Sequence, residues 1–418
     1  MTRSVHVIGA GLAGLAAAVR LAQSAATVSV HEAANQAGGR CRSYHDPALG
    51  MVIDNGNHLV LSANHAALSY AALIGAAGAL IGPARAEFDF VDLATGERWT
   101  LRINDGPLPW WVFDKKRRVP GTTVAEYVAF AKLFMAAQGK TVCEVVNCTG
   151  PLYERLARPL WLAALNSDPK QASATLAATV TRETLAKGGK YCRPLIARAG
   201  LSRAFIEPAL AFLRGRNAHI GLGERLRKIE FAQDKVTALD FGERKIALDA
   251  NDAVILAVPP PVANELVPDL VVPGMFNSIV NAHFRLEPPA GLPAMIGIIN
   301  GTIEWLFAFP DRLSVTISAA DRLLDVSREQ LAKDTWQEVA AVARLPEKMP
   351  AWQIVRERRA TFAATPEQES RRPGAATAWS NLFLAGDWTK TGLPATIEGA
   401  IRSGNRAADL AWQVMGAA

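Results

Sequence analysis

The sequence predicts an α/β fold, and three observations carry that prediction. The first is the opening stretch, where Val5, Val7 and Ile8 lead into Gly9, Gly11 and Gly14 and then into the small apolar run 15–21, reading as strand, tight turn and helix. The second is the run Ala253, Val254, Ile255, Leu256, Ala257 and Val258, which fits a strand buried on both faces of a parallel sheet. The third is the ending NLFLAGDWTKTGLPATIEGAIRSGNRAADLAW at 381–412, again strand, glycine turn and helix. Together they predict one Rossmann-like, nucleotide-binding sheet assembled from separated lengths of chain. Residues 1–70, 205–270 and 375–418 are assigned to it, with a second, α+β domain inserted as 71–204 and 271–374.

Each element has its own reason. Gly9 permits the tight turn, Gly11 lets backbone approach a pyrophosphate, and Gly14 lets helix and strand pack closely. The helix amino terminus, with Leu12 and Ala13, then aims free N–H groups and the positive dipole end at the anion. The second strand, 27–30, runs into His31, Glu32 and Ala33, where the Glu32 carboxylate falls at the distance after the glycines that suits both hydroxyls of an adenosine ribose. A free ribose is therefore expected, not a 2′-phosphate. Gly38, Gly39 and Arg40 form a tight loop ending in a cation suited to phosphate.

Farther along, 96–103 alternates as a strand, and 107–120 (PLPWWVFDKKRRVP) reads as a proline-bounded loop or hairpin. Helical patterns cover 122–138, 152–165, 173–187, 201–213 and 327–344. Strands are predicted at 219–221, within 224–249, and at 281–287, 294–299 and 313–318. The apolar stretch 71–81 and the last helix, 395–415, read as core helices, the former too short to cross a bilayer and the latter interrupted by charges.

With 418 residues, half of them apolar, the chain can bury a large core. The net charge of +6 is modest and diffuse, and no nucleic-acid module is present. Cys41, Cys143, Cys148 and Cys192 lack CxxC pairing and read as ordinary buried thiols in a reducing compartment, with no metal site. No targeting signal precedes the first strand, so a cytoplasmic location is expected.

GAGLAGL at 9–15, Glu32, GGR at 38–40, LAVPP at 256–260 and LAGDW at 384–388 together resemble the FAD-dependent amine oxidase and phytoene desaturase superfamily. Within it, DNGNHLVLSANH at 54–65, RERRATFAATPEQ at 356–368 and GDWTKTGLPATIEGAIRSG at 386–404 are similar to the squalene-associated FAD-dependent desaturases, the hydroxysqualene dehydroxylases of hopanoid synthesis. The resemblance implies an FAD-binding domain of amine oxidase type with an inserted substrate domain. It gives the turn at Gly9, Gly11 and Gly14 to the diphosphate, Arg40 to the diphosphate and ribityl chain, and the Leu226 backbone to adenine. Gly386 and Asp387 form the late flavin-side element, and the helix beginning near Pro394, Ala395, Thr396 and Ile397 faces the flavin N1 and C2 carbonyl. Asn55, Gly56, Asn57 and His58 lie beside the flavin ring.

The resemblance further implies reductive replacement of the hydroxyl of hydroxysqualene by hydrogen, giving squalene, on a lipid substrate at a membrane. A carotenoid or polyprenoid desaturase, an amine oxidase and a non-catalytic flavin-bound lipid carrier are the alternatives. His58 is the candidate acid, or else a structural hydrogen-bonding residue. Trp388 either walls the substrate cavity or packs against a strand. Trp110 and Trp111 at headgroup level, with Lys115, Lys116, Arg117 and Arg118 on anionic phosphates, would make a peripheral membrane contact; the same residues also suit a solvated basic turn. No second dinucleotide motif names the electron donor.

Overall fold

A computed structural model describes residues 3–416. A five-stranded parallel sheet has the order His219–Leu222, Thr27–Glu32, Ser4–Ile8, Ala253–Leu256, Leu382–Leu384. The strand Ser4–Ile8 thus lies at the centre, with Val7 beside Val30 on one side and Ile255 on the other. Its apolar residues are fully enclosed, as strands covered on both faces must be. The helix Leu12–Leu21 buries every residue but Arg20. It lies against the last helix, Ile397–Gly416, so closely that a Cβ on Gly404 would come within 2.1 Å of the Ala13 carbonyl oxygen.

The second domain is built on a seven-stranded sheet ordered Trp352–Phe362, Phe276–Arg285, Arg312–Ile317, Trp305–Phe309, Met295–Ile299, Glu87–Asp92, Arg98–Arg102. Its pairings are antiparallel except that between Met295–Ile299 and Glu87–Asp92. Alternate residues divide its two faces. Val280, Leu313, Val315 and Ile317 pack on Leu331, Trp336 and Val339 of the helix Arg328–Ala343. On the opposite face Phe90, Met295, Trp305, Phe307 and Phe309 form an apolar layer with Leu156, Ile196, Trp111 and Val119.

Several sequence readings need correction. The nucleotide-domain core does not stop at 70 and resume at 205: Ala71, Ile74, Leu80, Leu195, Ala197, Leu201 and Ala204 belong to it. The stretch 71–81 is not one helix. His65–Leu73 ends there, Gly75 takes a φ of +81°, and a short strand, Leu80–Ile81, follows. The longest strand, Trp352–Phe362, was not anticipated, because Arg356, Glu357, Arg358 and Arg359 hide its alternation; it is an edge strand, where charge is tolerated and discourages further pairing. Cys143 and Cys148 are joined in a disulfide across the short helix Val142–Val145, with Cα atoms 5.3 Å apart, so the reading of four free thiols fails for two of them. Cys41 and Cys192 are free and buried, and burial pushes the Cys192 thiol up to about 12.

Candidate active site: a nucleotide cradle closed by the second domain

Three glycines act differently at the first turn. Gly9 has a φ of +107°, and its N–H donates to the His31 carbonyl at 2.7 Å, tying the turn to the neighbouring strand. A Cβ on Gly14 would lie 1.9 Å from the Gly9 carbonyl oxygen, so this position holds helix against turn. A Cβ on Gly11 would meet nothing within 4 Å. Space is therefore kept in front of the helix Leu12–Leu21, where its first N–H groups emerge. The side chains of Leu12 and Ala13 are buried, so what these residues offer an anion is their main chain. Gly38 docks alongside through its N–H to the Ala10 carbonyl, and a Cβ on Gly39 would stand 3.4 Å from the Gly11 Cα.

The Glu32 carboxylate is held by the main chain on both sides. Oε2 accepts the Ala10 N–H at 2.7 Å and Oε1 accepts the Ala34 N–H at 2.8 Å. Each oxygen keeps lone-pair capacity for a ribose hydroxyl. Ala33 is exposed beside it, and the 223–226 segment runs past, with the Glu224 N–H donating to the Glu32 carbonyl and Leu226 anchored in the core.

Candidates from opposite ends of the chain meet at Arg40 and Asp387, 2.8 Å apart. Arg40 also donates to the Ala360 carbonyl at 2.6 Å, and Asp387 is the main influence holding its guanidinium charged. Its side chain stays 42 % exposed and has donors to spare for an anionic partner. Sequence reading missed Arg372, which is buried and donates to the Asp387 and Trp388 carbonyls and to the Thr391 hydroxyl, while its guanidinium lies over Phe362. It fixes the loop that carries Asp387. Gly386, at φ +152°, donates its N–H to the Ser403 hydroxyl, and Thr396 accepts the Gly399 N–H as an amino-terminal cap on the last helix. Pro394 and Ala395 lead into that cap, and Ile397 opens the helix, whose amino terminus carries the positive end of its dipole.

Trp388 packs against the main chain of its own loop and of Val258. Its indole is buried, donates to the Val258 carbonyl at 3.0 Å and packs directly over Gly386, where any Cβ would collide with it.

The segment 55–58 joins the two domains. Asn55 donates to Glu357 at 3.2 Å, Gly56 lies against the Asn281 side chain, and Asn57 donates to the Thr316 hydroxyl at 3.0 Å and the Val315 carbonyl at 3.3 Å. His58 follows, half-buried. Burial, aided by the positive charge of Arg40, lowers its value to about 4, so the imidazole is neutral at neutral pH and holds no extra proton to give. A carboxyl the sequence did not flag behaves oppositely: burial pushes Glu304 up to about 7. Glu304 accepts the Ser318 N–H at 2.8 Å, and its own N–H donates to the carbonyl of Thr316, the residue that binds Asn57.

The open space at Gly11, the paired Arg40 and Asp387 and the capped late helix form a cradle that fits a flavin nucleotide. Matching the chain to family models gives flavin containing amine oxidoreductase over residues 12–411. The chain belongs to that family. It is a flavin-dependent oxidoreductase, 58% identical to hydroxysqualene dehydroxylase of Rhodopseudomonas palustris over 98% of each chain. The enzyme of that name from Zymomonas mobilis is 47% identical, covering 97% of this chain and 98% of its own. Among solved structures, cyclohexylamine oxidase from Brevibacterium oxydans superposes with a TM-score of 0.70 at 17% identity over 99% of each chain. An oxidoreductase from Methanosarcina mazei gives 0.71 at 15% identity over 97% of this chain and 100% of its own, which shows the shared fold.

The loop 107–120 splits the residues assigned to a membrane contact. Trp110 and Phe113 are 64% and 62% exposed, but Trp111 is buried edge-on against Tyr127 and anchors the loop instead. Lys115 and Lys116 are exposed, Arg117 and Arg118 half-buried. No helix among the described residues is long and apolar enough to cross a membrane.

Proposed function

We propose that this chain is an FAD-dependent hydroxysqualene dehydroxylase that works at a membrane surface. The observation that carries the reading is identity of 47–58% across nearly the whole length of three relatives bearing that name. A bound, reduced flavin would supply a hydride, so that substrate alcohol, hydride and one proton become hydrocarbon and water. The C–O bond breaks, its electrons leave with oxygen, and the new C–H bond takes the hydride pair.

The chain's own residues handle the rest. Gly11, Gly39 and the first turn of Leu12–Leu21 hold the diphosphate, Glu32 the ribose, and Arg40 the ribityl side. Apolar surroundings exclude water from the developing positive charge. Neutral His58 orients the hydroxyl. Product analysis tests this: chemically reduced holoprotein given hydroxysqualene without oxygen should form squalene, identified by mass. Recovery of unchanged hydroxysqualene would defeat the proposal.

A further inference from the structure

A cavity of about 600 Å³ opens between the strand Arg98–Arg102 and the loop at 115–122. Four cations line it, Arg102, Lys115, Lys116 and Arg118, and no carboxylate does. Arg102 is partly neutralised by Glu87 at 3.4 Å, whereas Lys115, Lys116 and Arg118 form no ion pair among the described residues. A cavity with uncompensated positive charge suits an anion with several acceptor oxygens.

Its surroundings say how that anion arrives. Leu108, Trp110 and Phe113, on the chain just before the cations, are 60%, 64% and 62% exposed. Val128 and Met135, a little farther along, are 67% and 78% exposed. Aromatic and aliphatic side chains beside clustered cations are the composition of a surface resting at headgroup level. The same loop turns inward through Trp111, Val112 and Val119 and is anchored in the apolar layer of Trp305 and Phe307.

We propose that this cavity binds the phosphate headgroup of an anionic glycerophospholipid, with Trp110 and Phe113 entering the bilayer beside it. The proposal rests on the peripheral membrane reading but is sharper, because it names a discrete site instead of diffuse attraction. Arg117 provides the control: it neighbours Arg118 in sequence but does not line the cavity, and its guanidinium donates to the Arg102 carbonyl. Diffuse attraction makes any one of these cations worth roughly fivefold in vesicle partitioning.

The test is flotation of flavin-loaded protein with phosphatidylcholine vesicles, with and without phosphatidylglycerol. Lys116→Ser and Arg118→Ser should each cut binding to anionic vesicles by more than tenfold, Arg117→Ser by no more than about fivefold. Flavin content and melting temperature verify folding, and exposed Lys116 carries the comparison should Arg118→Ser be unstable. Short-chain phosphatidylglycerol should displace wild-type protein from vesicles, whereas inorganic phosphate at the same ionic strength should not. Equal losses in all three variants would overturn the site and leave the membrane reading standing. Equal displacement by inorganic phosphate would overturn the lipid as ligand. Wild-type protein that ignores anionic vesicles would overturn both the site and the membrane reading.

Discussion

Replacing Gly11 by Ala separates the needs of the cofactor from those of the fold. Gly11 has φ −69° and ψ 175°, which alanine adopts freely, and the new methyl group would meet no atom within 4 Å. The flavin-free variant should therefore be as stable as wild type, or more stable by about 0.4–1 kcal/mol because its unfolded chain has less freedom. The methyl group does occupy the space in front of the helix amino terminus assigned to the diphosphate. Losing one charge-assisted N–H contact there costs about 1.5–3 kcal/mol, or roughly 10- to 150-fold in FAD affinity. Gly14→Ala should do the reverse damage, since its methyl would sit 1.9 Å from the Gly9 carbonyl oxygen and force helix and strand apart. Thermal melts of stripped protein and FAD titration by flavin fluorescence measure both halves. Gly11→Ala protein that binds FAD within threefold of wild type would refute the placement of the diphosphate.

Glu32→Ala removes the acceptor for two main-chain N–H groups as well as for the ribose, so FAD binding should weaken by roughly 10- to 150-fold in equilibrium dialysis. His6 and His58 are lowered to about 4 and His283 to about 3, mainly by burial, all below the ordinary 6.5. Their contribution to stability is whole above pH 6.5 and is lost as pH falls toward 4, so urea midpoints should drop over that window, less steeply in His58→Asn. Glu304 runs the other way: raised from 4.5 to about 7, it favours the folded state most below pH 4.5, and that advantage is lost as pH rises through 7. Glu304→Gln should thus be the more stable protein at pH 8, by up to about 3 kcal/mol. A urea midpoint at pH 8 no higher than that of wild type would refute the burial of that carboxyl.

The nucleotide half of the fold was legible because its signals are local. Gly9, Gly11 and Gly14 act within one turn, and the buried strands Ser4–Ile8 and Ala253–Leu256 announce themselves as apolar runs. The second domain was harder to read. Its longest strand, Trp352–Phe362, carries a run of charges that makes sense only once its edge position is known. The disulfide between Cys143 and Cys148 depends on how a four-residue helix folds the chain back, which spacing alone does not specify. In the site, resemblance assigns Arg40 and Asp387 to the same cofactor, but neither their ion pair nor the titration of His58 is legible in the sequence. A histidine near neutral pH in the sequence becomes a neutral imidazole once burial and Arg40 surround it. Glu304 and Arg372 lay outside every motif, because their properties come from being enclosed by distant segments.

The central claim is that this chain moves a hydride from reduced flavin to hydroxysqualene. Stopped-flow mixing of anaerobically reduced protein with hydroxysqualene, followed by quantification of the lipid product, tests it most directly. Flavin reoxidation in the absence of oxygen is expected, with one squalene formed per flavin reoxidised. Flavin that stays reduced in the presence of hydroxysqualene, or oxidised protein that is instead reduced by a polyprenoid hydrocarbon, would contradict it.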